Sequence, residues 1–284
     1  MTHASTVAER VAAVLERDAD PHTVTELDGG HVGHVYVLEF AGHDPVVAKV
    51  GPTPLDIEGK MLDSLARAGA PVPTVHDADA DLLVLDYVAG TSELDEAAER
   101  DLASHLASLH DVTAPEFGFP YDTLSGPYHQ PNPWTESWVS FFREQRLRPW
   151  CDAARTCGLP DSTAERIESV ARDLDGLISE PDAPGLVHGD MWEGNLVVRD
   201  GRVVAFLDPA CYYGHPEVEL AYMHWFDSAG DAFFDAYAEK RPIEPGFFDD
   251  RAPVYALFPL LEHVRVFGSE FVPEVRDALG AIGY

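Results

Sequence analysis

The chain has 284 residues and carries 50 Asp and Glu against 19 Lys and Arg, a formal net charge of −31. That balance excludes binding to nucleic acid through clustered basic residues and disfavours docking on anionic lipid. With 45% hydrophobic and 10% aromatic residues it is no disordered acidic polymer, and its length suits one large domain or two fused lobes.

Residues 1–20 are charged and lack the apolar core of a signal peptide, and no run approaches the roughly 18 apolar residues of a membrane span; a cytoplasmic protein is expected. Val7, Val11, Val14 and Leu15 give Ser5 to Arg17 helical spacing. Val24 to Leu27, Val32 to Phe40 and Pro45 to Val50 read as strands, separated by Gly29-Gly30 and the turn Gly42-His43-Asp44. Asp56 to Ala68 is helical and stops at Gly69, and Val72 to Val75 and Leu82 to Tyr87 are short extended runs. The pattern changes at Val88-Ala89-Gly90, which divides the chain into 1–88 and 89–284. Beyond it Glu93 to His110 is an amphipathic helix, followed by a Pro- and Gly-rich stretch to Pro133. Trp138 to Leu147 and Ser162 to Ile178 are helical. Leu196 to Val198 and Val203 to Leu207 flank an Asp-Gly turn and read as a hairpin. Glu217 to Asp227, Ala232 to Glu239 and Ala252 to Phe267 finish the chain as helices. The fold class is α+β: a small β-rich lobe, then a larger, mostly helical one.

The acidity is dispersed along the chain, and only three lysines occur, Lys49, Lys60 and Lys240. Such a surface suits high salt, where screening over a few ångströms removes self-repulsion. The composition resembles that of salt-in haloarchaeal proteins. Cys151, Cys157 and Cys211 form no CxxC pair, and the histidines form no HExxH or HxxxH pair, so free thiols and no dedicated transition-metal site are expected.

The chemistry concentrates in Leu186-Val187-His188-Gly189-Asp190-Met191-Trp192-Glu193-Gly194-Asn195. Asp190 and Asn195 stand five apart, the spacing of a kinase catalytic loop, where the carboxylate faces an acceptor hydroxyl and the amide turns to Mg²⁺ on the nucleotide. Asp208, at the end of the strand Val203 to Leu207, is a second hard oxygen ligand for that ion. Taken singly, each reads equally well as a cap or a solvated polar residue. Lys49, in the strand Val46-Val47-Ala48-Lys49-Val50, is placed to reach ATP phosphates, with Glu58 nine residues on to pair with it. Gly29-Gly30-His31-Val32-Gly33 is a loose phosphate loop or a plain hairpin turn, with Gly30 and Gly33 the candidate contacts. Leu85, Asp86 and Tyr87 are positioned to offer backbone hydrogen bonds to adenine.

Three strings resemble the fructosamine kinase (ketosamine-3-kinase) family, within the aminoglycoside-phosphotransferase-like branch of the protein-kinase-like fold. They are His188 to Asn195 with its Trp192, Phe206 to Glu217, and Gln130 to Trp138 followed by Phe141-Phe142 and Arg146-Leu147. The similarity is weakest in the first 45 residues, where His31-Val32 occupies the phosphate loop. The resemblance implies a bilobal kinase fold and ATP with Mg²⁺ as cofactors. The acceptor it implies is the 3-hydroxyl of a ketosamine, small or protein-bound, with a product that then sheds its sugar. Asp190 would orient and deprotonate that hydroxyl, Asn195 and Asp208 would hold Mg²⁺, and Trp192 and His215 would contact the sugar. Trp134, Trp138, Tyr212 and Tyr213 are further candidates for the pocket wall, and Glu217 and Glu219 are equally consistent with the pocket and with a solvated helix start. A kinase for an aminoglycoside, choline or plain sugar, and a silent nucleotide-binding pseudokinase, are the alternatives. A monomer is expected, because no heptad or long unpaired apolar strand occurs.

Overall fold

The computed structural model describes residues 3–17, 21–27 and 33–284. Helix α1 (His3–Val14) precedes a five-stranded antiparallel sheet of order β1-β2-β3-β5-β4. Its strands are β1 (Thr23–Leu27), β2 (His34–Glu39), β3 (Val46–Val50), β4 (Val75–Ala78) and β5 (Leu82–Asp86), with α2 (Leu55–Arg67) between β3 and β4. Alternation along β3 sets the site. Val46, Ala48 and Val50 pack with Val7 and Val11 of α1, while Val47 packs with Leu55 and Leu62 of α2. Lys49, two residues from Val47, therefore points to the α2 side, where Glu58 lies.

The second part begins with α3 (Glu96–His110), capped by the Asp95 carboxylate, which accepts from the Ala98 amide at 2.8 Å. A small hairpin, β6 (Thr123–Ser125) and β7 (Tyr128–Gln130), leads to α4 (Trp138–Phe141), a π-helical turn (Phe142–Leu147), α5 (Arg148–Thr156) and α6 (Asp161–Asp173). Strands β8 (Gly185–Val187), β9 (Leu196–Arg199), β10 (Arg202–Phe206) and β11 (Tyr212–Gly214) carry the loops described below. They are followed by α7 (Glu217–Trp225), α8 (Asp231–Lys240), α9 (Ala252–Phe267) and α10 (Val272–Ala281). The β9–β10 hairpin turns on Asp200 and Gly201, both at positive φ, the primed turn an Asp-Gly pair favours. Helix α9 is the axis of the core: every residue from Ala252 to Leu261 is buried. A large apolar side chain buried there contributes roughly 1.5–3 kcal/mol. Among the described residues no helix is long and apolar enough to cross a membrane.

The elements differ from the sequence reading in several places, among them β4, which begins at Val75, and the added strand β11. The helix from Trp138 widens at Phe142–Leu147 and runs on to Thr156. Pro149 has no amide to give the Gln145 carbonyl, and the Arg146 guanidinium donates to that oxygen instead, at 3.1 Å. The β6–β7 hairpin sits in the stretch read as irregular, its strands too short to show alternation. Helix α10 lies beyond Phe267, where the sequence reading ended its last helix; Pro273 stands in its first turn, where no amide partner is needed.

Candidate active site

A cleft of about 630 Å³ runs between the sheet and the helical part, and Lys49, Glu58, Asp190, Asn195 and Asp208 all line it. Two backbone clasps bring the last three together. The Ala210 amide donates to the His188 carbonyl at 2.9 Å, and the Leu207 amide donates to the Asn195 carbonyl at 2.9 Å. Gly189 is required in the loop: its φ is +87°, and a Cβ there would stand 2.3 Å from the Ala210 carbonyl oxygen. Asp208 itself has φ +51°, a left-handed conformation that costs about 1 kcal/mol for a residue with a side chain.

Lys49 Nζ donates to Glu58 Oε1 at 2.7 Å and is also in contact with Asp208 Oδ1. Burial would lower the ammonium's pKa, but Asp208 and Glu58 more than reverse this and hold it above the ordinary lysine value. Enclosure in the cleft opposes ionisation of Asp208, and Lys49 outweighs it, so that carboxyl stays below its usual range.

Asp190 accepts hydrogen bonds from the Tyr222 hydroxyl on Oδ1 at 3.0 Å and from Asn195 Nδ2 on Oδ2 at 2.9 Å. Burial lifts its carboxyl to about 6, against the pull of those two donors. Asn195 Nδ2 also donates to the Asp190 carbonyl at 2.8 Å, so the Asn195 amide oxygen is the end left to accept or to coordinate. Asn195 and Asp208 thus present one amide oxygen and one half-exposed carboxylate, a donor set that fits a hard cation completed by phosphate oxygens.

Glu219 is a residue the sequence reading missed. It is fully buried, accepting from the His188 and Gly189 amides at 3.2 and 2.7 Å and pairing with His110 Nε2 at 2.8 Å. His110 Nδ1 in turn meets the Tyr237 hydroxyl at 2.6 Å. Burial pushes the Glu219 carboxyl up, yet the hydrogen bond from His110 and the Gly189 amide keep it below its usual value. Glu217 is buried too, forked onto Arg251 at 2.5 and 2.7 Å. Of the two readings open for these carboxylates, the solvated helix start is excluded, because α7 enters the core with its first turn.

The remaining candidates divide. Gly33 lines the cleft, whereas Gly30 lies outside the described residues. Leu85, Asp86 and Tyr87 line it as well. The Asp86 and Tyr87 amides are already donated, to Thr74 and Pro45 at 3.0 and 3.3 Å, which makes Val88, also lining the cleft, the next amide along. Trp192 is 40% exposed at the cleft wall, its indole lying over Gly194 so closely that a Cβ there would displace the ring. His215 does not line the cleft: it packs between Trp138 and Tyr255 at 6.2 and 5.9 Å, and burial lowers it to about 3. That corrects the expectation of a sugar contact. Trp138 and Tyr212 are likewise core. Trp134 is exposed beside Tyr213, and neither lines the cleft.

The Gln130 to Trp138 string is a brace. Gln130 Nε2 donates to the Ala210 carbonyl at 3.0 Å, and Asn132 accepts from the buried Arg146 at 2.6 Å, which fixes the segment just after Asp208. Cys211 is buried, and burial pushes its thiol far above the reactive range.

The fructosamine kinase family model matches residues 3–282. The "Probable ketoamine kinase YniA" of Escherichia coli (strain K12) is 33% identical over 265 residues, covering 89% of this chain and 90% of that protein. The chloroplastic protein-ribulosamine 3-kinase of Arabidopsis thaliana is 32% identical over 179 residues, 61% of this chain and 53% of that one. A crystal structure of a candidate fructosamine-3-kinase from Thermobifida fusca superposes with a TM-score of 0.88 at 31% identity, over 98% of both chains. The aminoglycoside phosphotransferase APH(4)-Ia, in a ternary complex with AMP-PNP and hygromycin B, shares the fold with a TM-score of 0.68 at 18% identity, over 98% of this chain and 97% of that one. With a family model matched over nearly its whole length and a kinase constellation gathered in one cleft, the chain belongs to the fructosamine kinase family of ketosamine phosphotransferases.

Proposed function

We propose that the protein transfers the γ-phosphoryl group of ATP to the 3-hydroxyl of a ketosamine, with residues 1–88 binding nucleotide and residues 89–284 supplying the acceptor site. The observation that carries this reading is the meeting of Lys49, Glu58, Asp190, Asn195 and Asp208 in one cleft. Lys49, steadied by Glu58, binds the nucleotide phosphates, and Gly33 lets the backbone approach them. The strand end at Leu85 to Val88 borders the adenine. Asp190 is held by Tyr222 and Asn195, its Oδ1 and Oδ2 aimed by one donor each, and takes the proton of the acceptor hydroxyl as the new O–P bond forms and ADP departs. Mg²⁺, held by Asn195 and Asp208, would neutralise charge on the phosphates. Trp192 offers an apolar face to the sugar. The protein-ribulosamine 3-kinase among its relatives supports protein-bound adducts as well as free ones. The dispersed charge of −31 supports work in concentrated salt inside the cell.

The test is ATP consumption in molar KCl with Mg²⁺, offering fructose-lysine and ribulose-lysine beside an aminoglycoside and choline, with phosphorus NMR to locate the phosphate. Transfer to the sugar's 3-hydroxyl is expected. Transfer only to the other alcohols would discard the ketosamine, and bound ATP with no transfer would make this a binding protein.

A further inference from the structure

Glu262, on α9, has no place in the machinery above, yet it stands directly behind the cleft wall formed by the β6–β7 hairpin. Its Oε1 accepts from the Ser125 hydroxyl at 2.6 Å and lies 3.7 Å from the point a Cβ on Gly126 would occupy. Gly126 and Leu124, of the β6–β7 hairpin, line the cleft together with Asp190 and Trp192. The carboxylate is near enough to Asp190 and Tyr222 for its charge to act on both.

The neighbouring guanidinium groups are committed elsewhere. Arg265 is stacked 3.6 Å over Tyr128 and 4.3 Å over Trp150. Arg146 donates to the Pro131 carbonyl and to Asn132. Ser125 is thus the one hydrogen-bond partner of Glu262 among the described residues. Both guanidinium groups act on Glu262 from a distance, but neither is ion-paired with it among the described residues; burial together with Asp190 outweighs them and lifts Glu262 to about 7, leaving two carboxylates near the acceptor end of the cleft without a paired cation. A negative pocket of this kind gains most from a ligand that brings its own positive charge.

A ketosamine does so. Its amine is on the carbon two along from the one that bears the 3-hydroxyl, so a base facing the hydroxyl and an anion beside that base match the two groups. We propose that Glu262 is a specificity-determining residue that pairs with the ammonium group of the ketosamine and so separates glycated amines from free sugars, which carry the same hydroxyl without the charge. The inference rests on the ketosamine reading above.

The experiment compares kcat/KM for fructose-lysine with that for an isostere in which an ether oxygen replaces the amine, in the wild type and in Glu262→Gln. The wild type is expected to favour the ammonium substrate about 10- to 100-fold, the range of a hydrogen bond to a charged group, and the ratio should fall to within about threefold of unity in Glu262→Gln. A defect that is only structural would slow both substrates and leave the ratio alone, so an unchanged ratio overturns the inference. Equal use of both substrates by the wild type also overturns it, without recourse to any variant, while leaving the ketosamine kinase standing. A wild type that phosphorylates neither overturns both.

Discussion

Replacing Asp190 with Asn should stop turnover and stabilise the fold at the same time. Burial lifts the Asp190 carboxyl from an ordinary 3.8 to about 6, which at about 1.4 kcal/mol per pH unit means that ionised Asp190 destabilises the native state by roughly 3 kcal/mol at pH 7. An amide removes that charge but offers one acceptor oxygen where Tyr222 and Asn195 both donate, a loss of about 1 kcal/mol. The net gain is roughly 2 kcal/mol, or about 4 °C in Tm for a chain of this size. The sign follows from a folded pKa above the unfolded one: the penalty is full above pH 6 and gone below pH 3.8. At pH 4.5 the relief has shrunk to about 1 kcal/mol and the lost hydrogen bond cancels it. Thermal melts of both proteins at pH 7 and pH 4.5, in the same molar salt, check this, alongside a kcat loss of at least ~100-fold. A variant that melts at or below the wild type at pH 7, or keeps its advantage at pH 4.5, would refute the argument.

Turnover should fall on the acid side as Asp190 gains its proton, with the limb of kcat/KM centred near pH 6; a profile flat down to pH 5 would remove Asp190 as the base. Glu219→Ala frees two loop amides and strands His110 in the core, so it should lower stability by about 3 kcal/mol and depress kcat; wild-type behaviour in both assays would show that the loop needs no clamp. Tm should climb steeply between 0.1 and 2 M KCl, as the screening length drops from about 10 Å to below ~3 Å, and a flat curve would exclude adaptation to salt. Thiol titration of the native protein should find Cys157 reactive and Cys151 and Cys211 silent, since only Cys157 is exposed and burial pushes Cys151 to about 11.

The strings that meet in the cleft were readable because each is local. Asp190 and Asn195 share one loop, Asp208 ends the next hairpin, and Lys49 and Glu58 sit on consecutive elements whose periodicities, 2 and 3.6, aim them at the same side. What stayed hidden depends on elements far apart in sequence. Glu219 matters because α3 delivers His110 to it, 109 residues away, and α7 turns inward at its first residue. Glu262 comes to lie behind the cleft wall because Ser125, 137 residues earlier, lies against α9. The family's aromatic string was legible as a signature but not as a brace, since the contact of Gln130 with Ala210 spans 80 residues. His215 looked like a ligand because it is polar and near the motif, and only the packing of Trp138 and Tyr255 around it shows otherwise.

The ion pairs around Lys49 have a chemical consequence apart from phosphate binding. Free amines add to the carbonyl carbon of reducing sugars, and a chain that works among such sugars is itself open to the lesion. This one carries only three lysines. Lys60 and Lys240 are exposed, whereas Lys49, the one in the cleft, is engaged by two carboxylates that keep it protonated. A protonated amine has no lone pair to add to an aldehyde. The same contacts that aim the lysine therefore shield it from glycation, so damage by sugar falls on the surface before it reaches the catalytic cleft.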